Sequence, residues 1–149
     1  MLRVGTALKR VQVVSRVNWW RFHFDTDLNL KVRCQDENCA YCLRGIGPQL
    51  NWVLGVHCGV HGRMLLELRE SMRPLIAQLH EHETGGVGTW LQLWRDSDAR
   101  NSKVRAEFVR WEPADEWDIE PLVSRFGTST ISKKSEKEKV STSARELVV

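Results

Sequence analysis

The chain has 149 residues, 42% of them hydrophobic, and a formal net charge of +3. The length suits one domain with a tail, and the modest charge excludes a histone-like polycation. The N-terminus lacks the long apolar segment of a secretory signal, and no apolar run approaches the roughly 18 residues of a membrane helix. We therefore expect a soluble protein of the cytoplasm, inside a bacterial or host cell.

The first half of the chain shows the period-two pattern of strands. Residues 17–25 and 28–33 alternate between apolar and polar side chains, which predicts two strands. Residues 50–56 and 63–69 predict two more strands, separated by a turn at residues 59–62.

The second half predicts a helix and a closing hairpin. Residues 71–83 change to helical spacing, with an apolar stripe along one side of the helix. Residues 89–95 and 103–111 then form a strand pair across the polar loop 96–102.

This order of elements predicts a mainly β fold. We expect a small OB-like β-barrel with one short helix and an inserted zinc-binding loop. A β-sandwich is the alternative, because period-two patterns do not fix the topology. We assign residues 1–127 to this domain. Residues 128–149 are rich in Ser, Thr, Lys and Glu, which predicts a disordered charged tail.

The four cysteines form the clearest motif. They follow the pattern Cys34-x4-Cys39-x2-Cys42-x15-Cys58. The Cys39–Cys42 knuckle can direct two thiolates at one point, and Cys34 with Cys58 completes the tetrahedral set that structural Zn²⁺ prefers. The neighbouring His57 and His61 are the alternatives to Cys58. Two disulfides or buried free thiols are the other interpretations, but nothing in the sequence indicates an oxidising compartment.

The predicted strands place tryptophans and cations on the faces opposite the core. The inward sets are Trp20, Phe22, Phe24, Leu30, Val32, Leu66, Leu68, Leu91, Leu93, Val104, Ala106 and Phe108. The opposite faces carry Trp19, Arg21, His23, Lys31, Arg33, Trp90, Trp94, Lys103, Arg105 and Trp111. Bases stack on indoles, and phosphates pair with Lys and Arg, so this mixture is typical of a single-strand binding groove. The alternative is that Trp90 and Trp94 belong to the core and the cations form a solvated face.

Signs of an enzyme are few. The chain has no Gly-rich phosphate loop, no Gly-x-Ser-x-Gly and no His-Glu-x-x-His. A catalytic zinc needs an open coordination position, whereas four protein ligands close the shell. We therefore expect a structural metal and no catalytic residues.

The aromatic strand, the Cys34, Cys39 and Cys42 spacing, and the order of strands, helix and hairpin resemble phage-type single-stranded DNA-binding proteins. In that family a zinc subdomain is built into an OB fold. The resemblance covers roughly residues 10–111. It implies a replication or recombination accessory protein of a phage, plasmid or other mobile element.

Two functions follow as expectations. The first is a non-catalytic protein that binds single-stranded DNA or RNA and holds a structural zinc. Its nucleic-acid surface would consist of Trp19, Arg21, Lys31, Arg33, Trp90, Trp94, Lys103 and Arg105. The second is a zinc-stabilised interaction subunit of a larger nucleoprotein complex, because exposed aromatics are favoured at interface hot spots.

Overall fold

A computed structural model describes residues 1–99 and 101–128 of the chain. The described residues form two compact units. The sheet unit comprises Met1–Asn18 and Trp52–Ile119, and the cysteine unit comprises Trp19–Asn51 and residues 120–128. The predicted tail, residues 128–149, lies outside the described residues except for Thr128.

The described residues are mainly β, which confirms the predicted fold class. The strands are β1 (Lys9–Val13), β2 (Asn18–Asp25), β3 (Leu30–Arg33), β4 (Gln49–Cys58), β5 (Gly62–Leu68), β6 (Thr89–Arg95) and β7 (Val104–Trp111). The helices are α1 (Ala40–Leu43), α2 (Arg73–Glu81) and α3 (Glu120–Val123), and a 3-10 turn (Glu70–Met72) precedes α2. None of these helices is long and apolar enough to cross a lipid bilayer.

Five strands of the sheet unit form an antiparallel sheet in the order β5–β4–β1–β6–β7. The central strand β1, which the sequence analysis did not predict, pairs with β4 at Val13↔Val56 and with β6 at Val11↔Leu91. In chain order α2 precedes the last two strands, and the segment of Cys34, Cys39 and Cys42 lies between the early strands β3 and β4, as predicted. Within the described ranges this sheet is open, an arrangement that fits a small barrel or a sandwich.

The core of the sheet unit lies on one face of its sheet. Leu91 and Leu93 of β6 are completely buried, which confirms the side of β6 predicted to face inward. The apolar stripe of α2 is also buried, because a helix packs its apolar side against the core face of a sheet. The buried side chains of this core are Leu2, Val4, Val11, Val13, Leu54, Val56, Cys58, Leu66, Leu68, Leu75, Ile76, Leu79, Leu91 and Leu93.

The acidic segment after β7 crosses the other face of the sheet at Gly55. A Cβ atom at position 55 would lie 2.7 Å from the Trp117 ring and 3.0 Å from the Ile119 side chain, so the crossing requires a glycine. The Trp117 amide donates to the Val14 carbonyl at 2.6 Å, which holds the segment on the sheet. Ile119 is buried, so this segment adds an apolar side chain to that face of the sheet.

Strand β7 contains a β-bulge beside Trp90. Trp90 pairs with Arg110 and the next residue, Leu91, pairs with Phe108, which leaves Val109 as an extra residue in β7. Because side chains alternate between the faces of a strand, one extra residue exchanges the faces beyond it.

The bulge changes which residues of β7 lie away from the core. Arg110 lies on the same face as Trp90, and Trp111 pairs with Thr89 on the core side. The prediction that Trp111 lies among the outward cations is therefore wrong. Its indole N–H instead donates to the Val87 carbonyl at 2.9 Å. Phe108 is on the core side, as predicted, but 40% of it remains exposed.

The cysteine unit is built on the hairpin of β2 and β3. His23 pairs with Val32, Phe22 pairs with Arg33, and the register continues as the Cys34 amide donates to the Arg21 carbonyl at 3.0 Å. This register places Arg33 on the side of Phe22 and Val32 on the side of His23. Val32 is completely buried, which confirms the prediction that it faces inward.

Helix α3 and the turn after it cover the Trp20 side of this hairpin. The rings of Trp20 and Phe126 pack edge to face, with centroids 5.3 Å apart. The Arg33 guanidinium lies over the Trp20 ring and donates to the carbonyls of Phe126, at 3.1 Å, and Val123. Phe24 lies at the end of this side and is 44% exposed, so the prediction that it faces inward is wrong.

Candidate functional site

Four potential metal ligands meet in the cysteine unit: His23, Cys34, Cys39 and Cys42. Their ligand atoms all lie within 4.8 Å of one another. The Nε2 atom of His23 is 3.4 Å from the Cys39 Sγ and 3.5 Å from the Cys42 Sγ. The Sγ atoms of Cys34 and Cys42 are 3.6 Å apart, so all four cysteines of the chain remain free thiols. This group could hold a metal ion.

The hairpin register explains how His23 joins the cysteines. His23 pairs with Val32, and Cys34 lies two residues further along, on the same side of the hairpin. His23 is only 1% exposed, so the prediction that it lies among outward cations is wrong. Counting the register back from the turn at residues 26–29 would have identified it.

Tyr41 orients the His23 imidazole. The two rings are stacked, with centroids 5.1 Å apart and planes 18° apart. The Tyr41 hydroxyl donates to the Asp25 carboxylate at 2.5 Å. Burial, then this hydrogen bond and the Asp25 charge, raise the pKa of Tyr41 to about 12. The Nδ1 atom of His23 is buried with no hydrogen-bond partner among the described residues, so ring stacking fixes the imidazole.

The backbone of the knuckle is shaped around the Cys39 sulfur. Asn38, immediately before Cys39, has a φ of 62°, a left-handed conformation that Asn tolerates better than most residues. Burial raises the pKa of the Cys39 thiol, but hydrogen bonds from backbone groups of Cys42, Gln35 and Tyr41 outweigh it and lower that pKa to about 6. Cys39 is therefore prepared to act as a thiolate.

Cys42 has the opposite tendency. Its hydrogen bond with Cys34, then burial and the neighbouring Cys39, raise the pKa of the Cys42 thiol to about 11. Three sulfurs this close cannot all be ionised cheaply, because like charges repel. A divalent cation held by this group would supply the opposite charge that three thiolates require.

The residues predicted as fourth ligands lie in the sheet unit. Cys58 ends β4 and packs in the hydrophobic core, opposite Gly62. His57 is exposed and pairs with Arg63, and the His61 amide donates to the Cys58 carbonyl at 3.1 Å in the turn that follows. The structure brings three of the four predicted ligands together, with His23 in the fourth place.

A second candidate site is the face of the sheet opposite the core, across β1, β6 and β7. We call it the tryptophan–arginine face. It consists of Arg10, Gln12, Trp90, Gln92, Trp94, Arg105, Glu107 and Arg110. Of the predicted nucleic-acid residues, the structure thus brings Trp90, Trp94 and Arg105 together, since Trp94 pairs with Arg105 across the strands.

The arginines of this face have different partners. Arg105 forms an ion pair with Asp96 at 2.9 Å, and Arg110 forms one with Glu112 at 2.8 Å. Arg10 hydrogen bonds to the neutral amide oxygen of Gln92 at 3.4 Å, a contact that leaves its charge uncompensated. In formal charge, Glu107, Asp96 and Glu112 balance the three arginines, so the cationic character of the face rests on Arg10, beside two half-buried indoles.

The other predicted nucleic-acid residues lie elsewhere in their units. Lys103 is exposed and lines a groove of about 340 Å³ beside α2. In the cysteine unit, Trp19 is 55% exposed, with the Arg21 guanidinium 5.5 Å from its ring centroid. Lys31 lies over the Phe22 ring on the opposite side of the hairpin, at 4.7 Å. The Arg33 guanidinium donates hydrogen bonds to the backbone carbonyls of Val123 and Phe126.

Comparison with known proteins gives no match to any family model, to any curated protein or to any solved structure.

Proposed function

We propose that this chain is a non-catalytic single-stranded nucleic-acid-binding protein with a structural zinc ion. The tryptophan–arginine face carries the proposal, because it combines two stacking platforms on β6 with cations on the two flanking strands, β1 and β7. A role as a replication or recombination accessory of a phage or mobile element, which the sequence resemblance implies, is part of this proposal.

The donor set fits zinc. In a tetrahedral site with Zn–S bonds of about 2.3 Å and Zn–N bonds of about 2.0–2.1 Å, neighbouring donors are about 3.5–3.8 Å apart. Three of the six donor separations among His23, Cys34, Cys39 and Cys42 are 3.4, 3.5 and 3.6 Å, and all six lie within 4.8 Å. Three sulfurs and one imidazole form a closed shell typical of structural zinc, which stabilises a fold by joining its segments. Here the joined segments are the hairpin and the knuckle.

The tryptophan–arginine face suits an unpaired strand better than a duplex. Exposed bases can stack on Trp90 and Trp94, whereas the bases of a duplex are already stacked on one another. Arg10 and Arg105 can attract phosphates, an attraction that falls with salt. Trp19 and Arg21 form a second, smaller aromatic and cationic pair in the cysteine unit.

An interaction subunit of a larger nucleoprotein complex is the second candidate. The cysteine unit favours it, because Leu43 is 78% exposed and Ile46 and Trp19 are also exposed. Large exposed apolar side chains are typical of docking surfaces.

Titration of fluorescent oligo-dT and of a matched duplex, over a salt series, tests the proposal. We expect the single strand to quench the indole fluorescence and to bind more tightly than the duplex. Trp94→Ala should weaken single-strand binding by roughly 1–3 kcal/mol with an unchanged salt slope. Arg105→Ala should lower that slope by about 1.

Leu8→Ala is the matched control, since Leu8 is exposed and precedes β1, outside the tryptophan–arginine face. If single strands neither quench the tryptophans nor bind at low salt, the proposal fails and the interaction subunit takes its place.

A further inference from the structure

At the edge of the tryptophan–arginine face, the Glu112 carboxylate accepts hydrogen bonds from two residues of that face. Arg110 Nε donates to Glu112 Oε1 at 2.8 Å, and Trp90 Nε1 donates to Glu112 Oε2 at 3.3 Å. An anion is therefore bound at the edge of Trp90 by a guanidinium and an indole N–H. A phosphate group offers the same pair of acceptor oxygens in a similar geometry.

The same contacts cover the Trp90 ring. The Arg110 guanidinium lies 4.9 Å from the Trp90 ring centroid, over the surface on which a base would stack. Its ion pair with Glu112 keeps it there. Stacking of a base on this side of Trp90 thus requires the Arg110 guanidinium to move. It moves more readily when another anion replaces Glu112 as its ion-pair partner.

The Glu112 side chain can leave without disturbing the fold. The Glu112 amide donates to the Gly88 carbonyl at 3.0 Å, and the Gln12 amide donates to the Glu112 carbonyl at 3.0 Å. Both contacts hold the backbone only. The carboxylate and the guanidinium are each about half exposed, so a change of side-chain rotamer frees the two donors.

From these contacts we infer that Glu112 occupies a phosphate subsite, and that a phosphate of the bound strand displaces it to reach Arg110 and the Trp90 edge. Glu112 then competes with phosphate for this subsite. It weakens the binding of the strand and excludes anions that bind the subsite too weakly to displace it. The hydrogen bond from Arg110 lowers the pKa of Glu112, so the competitor stays charged near neutral pH. This inference rests on the proposed single-strand binding.

Glu112→Gln tests it, because the amide keeps the shape of the side chain and removes its charge. The probe is fluorescent oligo-dT at low salt. We expect Glu112→Gln to bind about three- to fivefold more tightly than the unmodified protein, which is the size of effect that one exposed ion pair produces. Glu107→Gln is the matched control, since Glu107 lies on the same face and loses the same charge. We expect it to tighten binding less than twofold.

A double-mutant cycle with Arg110→Gln separates displacement from general electrostatics. The gain from Glu112→Gln should vanish in the Arg110→Gln background, whereas the small gain from Glu107→Gln should persist. Equal gains for Glu112→Gln and Glu107→Gln, or a Glu112→Gln gain that survives without Arg110, would overturn the inference. Failure of the unmodified protein to bind oligo-dT would instead overturn the proposed function.

Discussion

The two units reach order by different means. The sheet unit has a continuous apolar core in which Val11, Leu54 and Leu91 are completely buried. The cysteine unit has a two-stranded hairpin with a few aromatic contacts, and a hairpin alone is marginally stable in water. Its distinguishing feature is the group of four ligands around His23. The sheet unit is thus held by burial, whereas the cysteine unit offers a group of ligands that could hold a metal ion.

The difference between the two units is tested most strongly by comparing two variants, Cys39→Ser and Cys58→Ala. Cys39→Ser should remove the bound zinc and unfold the cysteine unit, because structural zinc contributes about 10–16 kcal/mol in small sites. Cys58→Ala should keep one zinc per chain and cost the sheet unit at most about 2 kcal/mol, as a small cavity in a core does. Metal analysis and hydrogen exchange of residues 19–51 measure both effects.

His23→Cys is the control for the identity of the fourth ligand. It supplies a fourth thiolate and should retain zinc, whereas His23→Ala should weaken zinc binding strongly. Full zinc retention by His23→Ala together with zinc loss in Cys58→Ala would contradict the ligand set described above.

Leu93→Ala acts on the other unit. Leu93 is completely buried in the core of the sheet unit, so the cavity should cost about 2–5 kcal/mol of unfolding free energy. The zinc content should not change. Denaturant unfolding followed by tryptophan fluorescence, with metal analysis of the same sample, measures both. Loss of zinc from this variant would show that the two units do not derive their order separately.

The register of the hairpin shows what the sequence did and did not predict. The knuckle spacing identified Cys34, Cys39 and Cys42, because ligand spacing is local. His23 lies on a different strand, and its place depends on where the turn at residues 26–29 begins. A register shift of one residue moves every side chain to the opposite face, so a face assignment made from one strand alone failed for His23, which is buried.

Strand β1 was missed for a different reason. Its alternation rests on Val11 and Val13 alone, in a segment whose other residues are Lys9, Arg10 and Gln12. Two valines are a weak signal, although burial between β4 and β6 makes this strand central. The long strands β4 and β5 and helix α2 carry stronger patterns and were predicted correctly. The alternation of side chains within a segment therefore predicted most strands and the helix. The place of each strand in the sheet depends on pairing with distant segments, which the alternation does not show.

The pH dependence of zinc binding to the cysteine unit should give a smaller effect than these variants. With a pKa of about 11, the Cys42 thiol is protonated near pH 7, and zinc must displace that proton. Lower pH favours the protonated thiol, so zinc affinity should fall by at least about tenfold for each unit of acidification. Competition with a chelating dye between pH 6.5 and 8 measures this dependence. An apparent affinity independent of pH in that range would contradict coordination by Cys42.

Trp19→Ala should give the smallest effect. Trp19 is accompanied by Arg21, whose charge is already near Asp36 at 3.7 Å. We expect Trp19→Ala to weaken oligo-dT binding by at most about 1 kcal/mol, less than Trp94→Ala. Fluorescence titration of both variants in parallel gives the comparison. A larger loss for Trp19→Ala would move the centre of the interface to the cysteine unit.

The extra residue in β7 has a consequence for how this surface can change. With the bulge, Arg110 lies beside Trp90, whereas a regular pairing would place Val109 there and Arg110 opposite Thr89 on the core side. Loss of the bulge would therefore exchange an arginine for a valine beside Trp90 and move each later residue of β7 to the other face. Changes of register at the bulge are thus a compact route by which related chains could acquire different ligand preferences on the same scaffold.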